Sequence, residues 1–276
     1  LVGAAYTFDI HEFRHFAPLT DANFQTAINL WFSDEANATT TYGHIRDWNV
    51  TGVTNMANAF KDRTGFNEDI SGWDVSKVTN MRSMFKNASS FNQPIGDWNV
   101  SSVTDMQYMF HSATYFNHPI GNWNVSLVTN MQDMFLGVTN FNHPIGNWNV
   151  SSVTNMQAMF HGMNSFNQPI GNWNVSSVTN MHKMFAFARD FNQDISDWNT
   201  SSVTKMEMLF KYASSLNQDL SDWKISADVN MTEMFDNTPA LSNANKGLMH
   251  ASFKNNTHWP YDWSASGVTL ETGLVA

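Results

Sequence analysis

A repeat solenoid of eight stacked coils is the fold class that the sequence predicts. Three observations carry it. Tryptophan recurs every 25 residues from Trp48 to Trp223, phenylalanine at the same interval from Phe60 to Phe235, and methionine from Met56 to Met231. Self-similarity at a fixed period marks units that cannot bury an apolar face alone and must stack on their neighbours. A core that grows along a stack also lifts the size ceiling that would split 276 residues into several domains.

The expected order is an N-terminal strand and capping helix over 1–41, the solenoid over 42–240, and a C-terminal capping helix, aromatic loop and apolar tail over 241–276. In the first segment, residues 20–32 read as an amphipathic helix with Thr20 as its N-cap. Phe24, Ala27, Ile28, Trp31 and Phe32 form its apolar face.

The coil from Trp98 to Asn122 is representative. Met106, Met109 and Phe110 stand at i, i+3 and i+4, one face of a short helical turn. Residues 103–106 and 116–120 suit short parallel strands, each paired with its equivalent one coil away, about 4.8 Å along the stack. Pro94, Pro119, Pro144 and Pro169 form one column, which marks a strand end or turn because proline cannot donate to a ladder. Gly96, Gly121, Gly146 and Gly171 follow two residues later and fit a tight corner.

Strict repeat spacing assigns Trp98, Trp123, Trp148 and Trp173 to the core rather than to a binding stripe. The same holds for Met106, Met131 and Met156, and for Phe110, Phe135 and Phe160. Asn92, Asn117, Asn142 and Asn167 read as an inward-facing asparagine ladder, whose amides bond the turn and the next coil. At the far end residues 243–253 read as a capping helix, followed by the aromatic loop Trp259, Pro260, Tyr261, Asp262, Trp263.

Composition excludes several functions. A formal net charge of −10 argues against nucleic acid, whose phosphates need a Lys/Arg surface. It argues equally against an anionic membrane surface. Cysteine is absent, so disulfides and thiol chemistry are ruled out. No apolar run approaches the ~20 residues of a membrane helix, so no membrane span is expected.

No motif announces catalysis: there is no G-x-S-x-G, H-E-x-x-H or phosphate loop. The expectation is a non-enzyme with no cofactor and no metal. His118 and His143 share a column, but two histidines without a nearby carboxylate make a poor metal site. The W-N-V-[ST] segments create N-glycosylation sequons at Asn99, Asn124, Asn149 and Asn174. Adjacent coils stand too close for a glycan on each, and asparagine there reads as a turn residue. Further sequons stand at Asn37, Asn49, Asn87, Asn199, Asn230 and Asn255, and Asn37, in a polar segment expected to be a loop, is the best single glycosylation candidate.

The unit W-N-V-S-S-V-T-N-M-x-x-M-F-x-x-A-x-x-F-N-Q-P-I-G resembles the bacterial surface protein repeat family first noted in mycoplasma lipoproteins, itself related to the BspA-like leucine-rich repeats. The resemblance spans about residues 42–240 and keeps the Trp, Met, Phe and Asn positions together in each copy. It implies a leucine-rich-repeat-like solenoid and a non-catalytic extracellular or cell-surface module for adhesion. The partner it implies is a protein or glycan surface, with no catalytic residue to carry over. A second expectation comes from the termini. Val2, Tyr6 and Phe8 at one end and Val268, Leu270 and Leu274 at the other are apolar and strand-like, and would join copies head to tail into a fibre.

Overall fold

The computed structural model describes residues 16 and 18–266. The coils stack in register, but they do not form the expected leucine-rich-repeat-like solenoid. Among the described residues there is no strand, only isolated parallel bridges, one per coil, running Asn55, Asn80, Asp105, Asn130, Asn155, Asn180, Lys205, Asn230. Residues 103–106 and 116–120 are therefore not strands, and Met106, Met109 and Phe110 do not sit on a helical turn. The α-helices lie outside the coils: α1 (Phe24–Ser33) and α2 (Glu35–Tyr42) precede them and α3 (Asn243–Phe253) follows.

The backbone explains the difference. Met81, Ser83, Phe85 and Asn87 each donate an N–H to the next coil, to the carbonyls of Asp105, Gln107, Met109 and His111 at 2.7–3.0 Å. The residues between them fold back instead. Met84 donates to Met81, Lys86 to Ser83 and Ala88 to Phe85, closing four-residue turns. Ser83 and Asn87 sit at the third position of such turns with φ of 55° and 59°, as a type II turn requires. Every coil but the last repeats these bonds, and every coil places left-handed residues at the equivalent positions, which interrupt any extended run. The i, i+3, i+4 burial of Met106, Met109 and Phe110 comes from chained turns, not from a helix.

The core is continuous along the stack. Trp98, Trp123, Trp148 and Trp173 are buried, as are Met106, Met131, Met156, Phe110, Phe135 and Phe160. Phe85, Phe110, Phe135 and Phe160 stack face to face at 5.5–6.1 Å. Each buried indole also does backbone work: Trp148 Nε1 donates to the Ile120 carbonyl at 3.1 Å, and Trp123 and Trp173 do the same one coil away. Thr79, Thr104 and Thr129 extend the ladder, each donating its N–H to the threonine carbonyl of the preceding coil at 2.8–2.9 Å.

Both ends of the ladder are finished by side chains. Thr54 in the first coil lacks a preceding coil, and the Asp21 carboxylate accepts its N–H at 2.8 Å and that of Asn55 at 3.0 Å. Phe235 in the last coil lacks a following one, and the Tyr261 hydroxyl accepts its N–H at 2.8 Å. Helix α1 lays Phe24, Ile28 and Trp31 on the first coils, with Trp31 edge-on to Trp48 and Phe24 edge-on to Trp73. It begins at Phe24, not Thr20. Asn23 holds the cap position, and Thr20 stands one turn earlier, accepting the Phe24 N–H on its carbonyl.

Two stability outcomes follow. Trp148→Ala removes a side chain only 3% exposed and orphans the Ile120 carbonyl, so it should cost about 3–5 kcal/mol by urea unfolding. A cost below ~1 kcal/mol would contradict the core placement. Tyr261→Phe leaves the part-buried Phe235 N–H without its acceptor and should cost about 1–3 kcal/mol, while Tyr115→Phe, on an exposed ring, should cost under ~0.5 kcal/mol.

Candidate binding face

Comparing the copies with one another separates two kinds of surface. The segments W-N-V-S-S-V-T and F-N-x-[PD]-I-[GS] change little from coil to coil. Variation concentrates in M-x-x-M-F-x-x-A-x-x, at the two residues between the methionines, the two after the phenylalanine and the two before the next one. In the coil of Met106 the first four of these are Gln107, Tyr108, His111 and Ser112. The chained turns put these four columns side by side on one face.

The near-constant surfaces are occupied with structure. The asparagine ladder is real but faces outward, contrary to the expectation: Asn92, Asn117 and Asn142 are exposed. The Asn92 Oδ1 accepts the Asn117 backbone N–H at 2.9 Å, and the Asn142 Oδ1 accepts that of Asn167 at 3.0 Å. These side chains tie one coil to the next. Asn99, Asn124, Asn149 and Asn174 each accept an N–H from the serine two residues on, at 3.1–3.2 Å, which makes them turn residues. His118 and His143 place Nε2 at 3.0 Å from the carbonyls of Asn92 and Asn117, so both rings are engaged on the ladder. Asn37 is exposed but lies in α2, not in a loop, and its Oδ1 accepts the Thr41 hydroxyl at 3.3 Å. Val2, Tyr6, Phe8, Val268, Leu270 and Leu274 lie outside the described residues.

A furrow of about 520 Å³ runs along Pro94, Pro119, Pro144 and Pro169. Sequence reasoning did not see it. A Cβ on Gly96 would stand 2.4 Å from the Pro119 carbonyl oxygen, and one on Gly121 2.5 Å from that of Pro144. Glycine leaves room for that close approach in these four coils, where Ser71, Ser196 and Ser221 stand in the others, and the missing side chains leave the furrow. Its lining repeats from coil to coil, so it follows from the backbone and distinguishes no partner.

The variable face differs along its length. Between Lys86 and Lys183 the chain has no lysine or arginine. The middle coils instead carry His111, His161 and His182 around Asp133, with Gln107, Gln132 and Gln157 beside them. The Gln132 amide donates to Asp133 Oδ2 at 2.9 Å and to the Tyr108 hydroxyl at 3.0 Å. Asn130 and Asn155 donate to Gln107 and Gln132 at 3.3 and 3.1 Å, which locks the glutamines in a row. Asp133 is 7% exposed. Gly137 and Gly162 replace the side chain found in this column at Ser112 and Phe187, so the face dips there. The sequence signal for this cluster was present as two columns that change residue type, but separate columns do not reveal that they adjoin.

Among the described residues no three His, Asp or Glu side chains converge to hold an ion. Burial lowers the pKa of all three histidines. Lys86 adds to this at His111, and Lys183 at His161 and His182, while Asp133 opposes it at all three and Glu207 opposes it at His182. His161 Nδ1 is buried without a hydrogen-bond partner. The rings are neutral at neutral pH.

A base whose pKa is depressed by folding binds protons more readily when unfolded. Stability from the neutral histidines is therefore complete above the unfolded value of about 6.5 and falls as pH drops below it. The urea midpoint should decrease from pH ~7.5 to pH ~5, and a His111→Gln, His161→Gln double variant should show a smaller decrease. An identical decrease in the variant would remove the histidines as its source.

Against known proteins, the family model described as "Mycoplasma protein of unknown function, DUF285" matches residues 26–145 and again residues 129–247. No curated protein matches the chain. Neither the family match nor the fold supports the further kinship with BspA-like leucine-rich repeats. Two overlapping matches that together run from 26 to 247 cover most of the chain, which accordingly belongs to the DUF285 mycoplasma repeat family.

Proposed function

We propose that this protein is a non-enzymatic interaction module, acting outside the cell or at its surface, that holds a protein or glycan partner against its variable face. The observation that carries the reading is the division of labour among columns. Residues that build the stack repeat with little change, while substitutions gather on one continuous surface.

The chemistry of that face supports a hydrogen-bonding partner. Its middle coils offer glutamines, neutral imidazoles and a buried carboxylate, without a basic track for phosphates. Its rigidity favours affinity, because the glutamine row is held by side-chain bonds before any partner arrives. The surface location rests on the resemblance to bacterial surface repeat proteins.

The test is a protein and glycan binding screen with the full chain, followed by paired variants. Gln157→Ala, on the variable face, should weaken a captured partner by about tenfold or more. Thr129→Ser, on the near-constant ladder, should leave it unchanged. Loss through Thr129→Ser but not through variable-face variants would move the site elsewhere. No partner binding with a Kd below ~100 μM would refute the module reading.

A further inference from the structure

The variable face ends in a cleft that the regular coils do not have. Its volume is about 710 Å³, within the ~300–1,000 Å³ typical of small-molecule sites. Tyr212, Tyr261 and Trp263 line it, and Phe187 backs Tyr212. Tyr261 and Trp263 stack at 4.6 Å with planes 14° apart, and Phe187 and Tyr212 stack at 4.6 Å with planes 18° apart. Phe187 and Tyr212 are 36% and 40% exposed. They occupy the left-handed column that elsewhere holds Asp62, Asn87, Ser112, Gly137, Gly162 and Asn237. Large aromatic rings appear in this column only beside the cleft.

Polar groups converge on the same space. Arg189 and Lys246 line it, with the Lys246 ammonium 6.0 Å from the Trp263 ring centre. Ser214, Asn237 and Thr238 add hydroxyl and amide groups. Asp236 is already engaged, accepting the Tyr261 hydroxyl at 2.8 Å. Two cations against the one carboxylate of Asp236 leave the lining of this cleft net positive in a chain with a net charge of −10. Exposed aromatic faces suit a ligand with an apolar ring face, and a guanidinium suits a carboxylate.

We infer that this cleft binds an acidic sugar, a pyranose laid against the exposed Tyr212 ring with its carboxylate toward Arg189 and Lys246. The inference rests on the interaction-module reading and names one ligand class for it. A cationic ligand such as a quaternary ammonium is disfavoured, because Lys246 already holds the aromatic face. An extended nucleic acid is disfavoured because the basic groups do not continue along the middle coils. A neutral sugar leaves the Arg189 guanidinium without a role.

Calorimetry on the full chain decides it, with glucuronic acid and sialic acid disaccharides as probes and the same sugars reduced at the carboxyl as controls. The acidic sugars should bind, and the reduced sugars should bind about tenfold or more weakly. Arg189→Ala and Tyr212→Ala, both on exposed side chains, should each weaken binding at least about tenfold with the unfolding midpoint unchanged. Arg189→Lys should recover part of the loss. Equal binding of acidic and reduced sugars, tighter binding of a nucleotide, or no binding at ~10 mM sugar would each overturn the assignment. So would unaltered binding by both alanine variants. A partner lost through Gln157→Ala with no sugar bound would overturn the cleft and leave the module reading standing. A chain that binds neither would lose both.

Discussion

No coil of this protein can satisfy its own backbone. Alternate N–H groups of the Met–Phe segment point along the stack and find acceptors only in the next coil, while the groups between them close local turns. An orphaned buried N–H costs about 1–3 kcal/mol, so one coil alone is unfavourable several times over. The left-handed residues add to this. Among the described residues fourteen non-glycines have positive φ, each a strain on the order of 1–2 kcal/mol that only neighbouring coils offset. The exact 25-residue length of every copy follows, since a one-residue change would misalign every donor with its acceptor.

Side chains were recruited to the same task. From Trp73 to Trp223 each indole donates to an isoleucine carbonyl, asparagines of one column accept from the next coil, and threonines continue the ladder. These columns must keep their residue type, because the bond each makes is geometric. Asp21 and Tyr261 stand in for coils that do not exist. The aspartate is held below the usual carboxylate range, first by the Thr54 hydroxyl, which suits an acceptor that must stay ionised. The tyrosine is pushed the other way by burial, which keeps its proton for Asp236.

This division decides where binding can evolve. Columns tied into the ladder are not free to vary, so variation is confined to the face where side chains leave the turns without a structural duty. A flat, regular face recognises by its sequence of hydrogen-bonding groups. A cavity needs an interruption, and the stack provides one where it ends. There α3 and the loop that carries Tyr261 and Trp263 turn back over the last coils. The same hydroxyl that finishes the ladder at Phe235 thus fixes one wall of the cleft.

Period and core were legible in the sequence, because a column of identical side chains at fixed spacing needs no structure to be read. Trp148 and Phe135 were placed inside on that ground alone, and residues 243–253 as a helix from their local pattern. The conformation within a coil was not legible. Short apolar spacings such as Met106, Met109, Phe110 suit a helical turn and a chain of β-turns equally well. The overlooked hint was that the columns of Ser83 and Asn87 contain no β-branched residue, which left-handed backbone excludes. Nor could separate columns show that His111, Asp133 and His161 share one face, or that Arg189, Tyr212 and Trp263 meet at one cleft. The sequence determined that copies stack and which side chains fill the core, because burial repeats with the chain. Only the tertiary structure decided which groups adjoin, because that depends on where the turns aim residues a full coil or more apart.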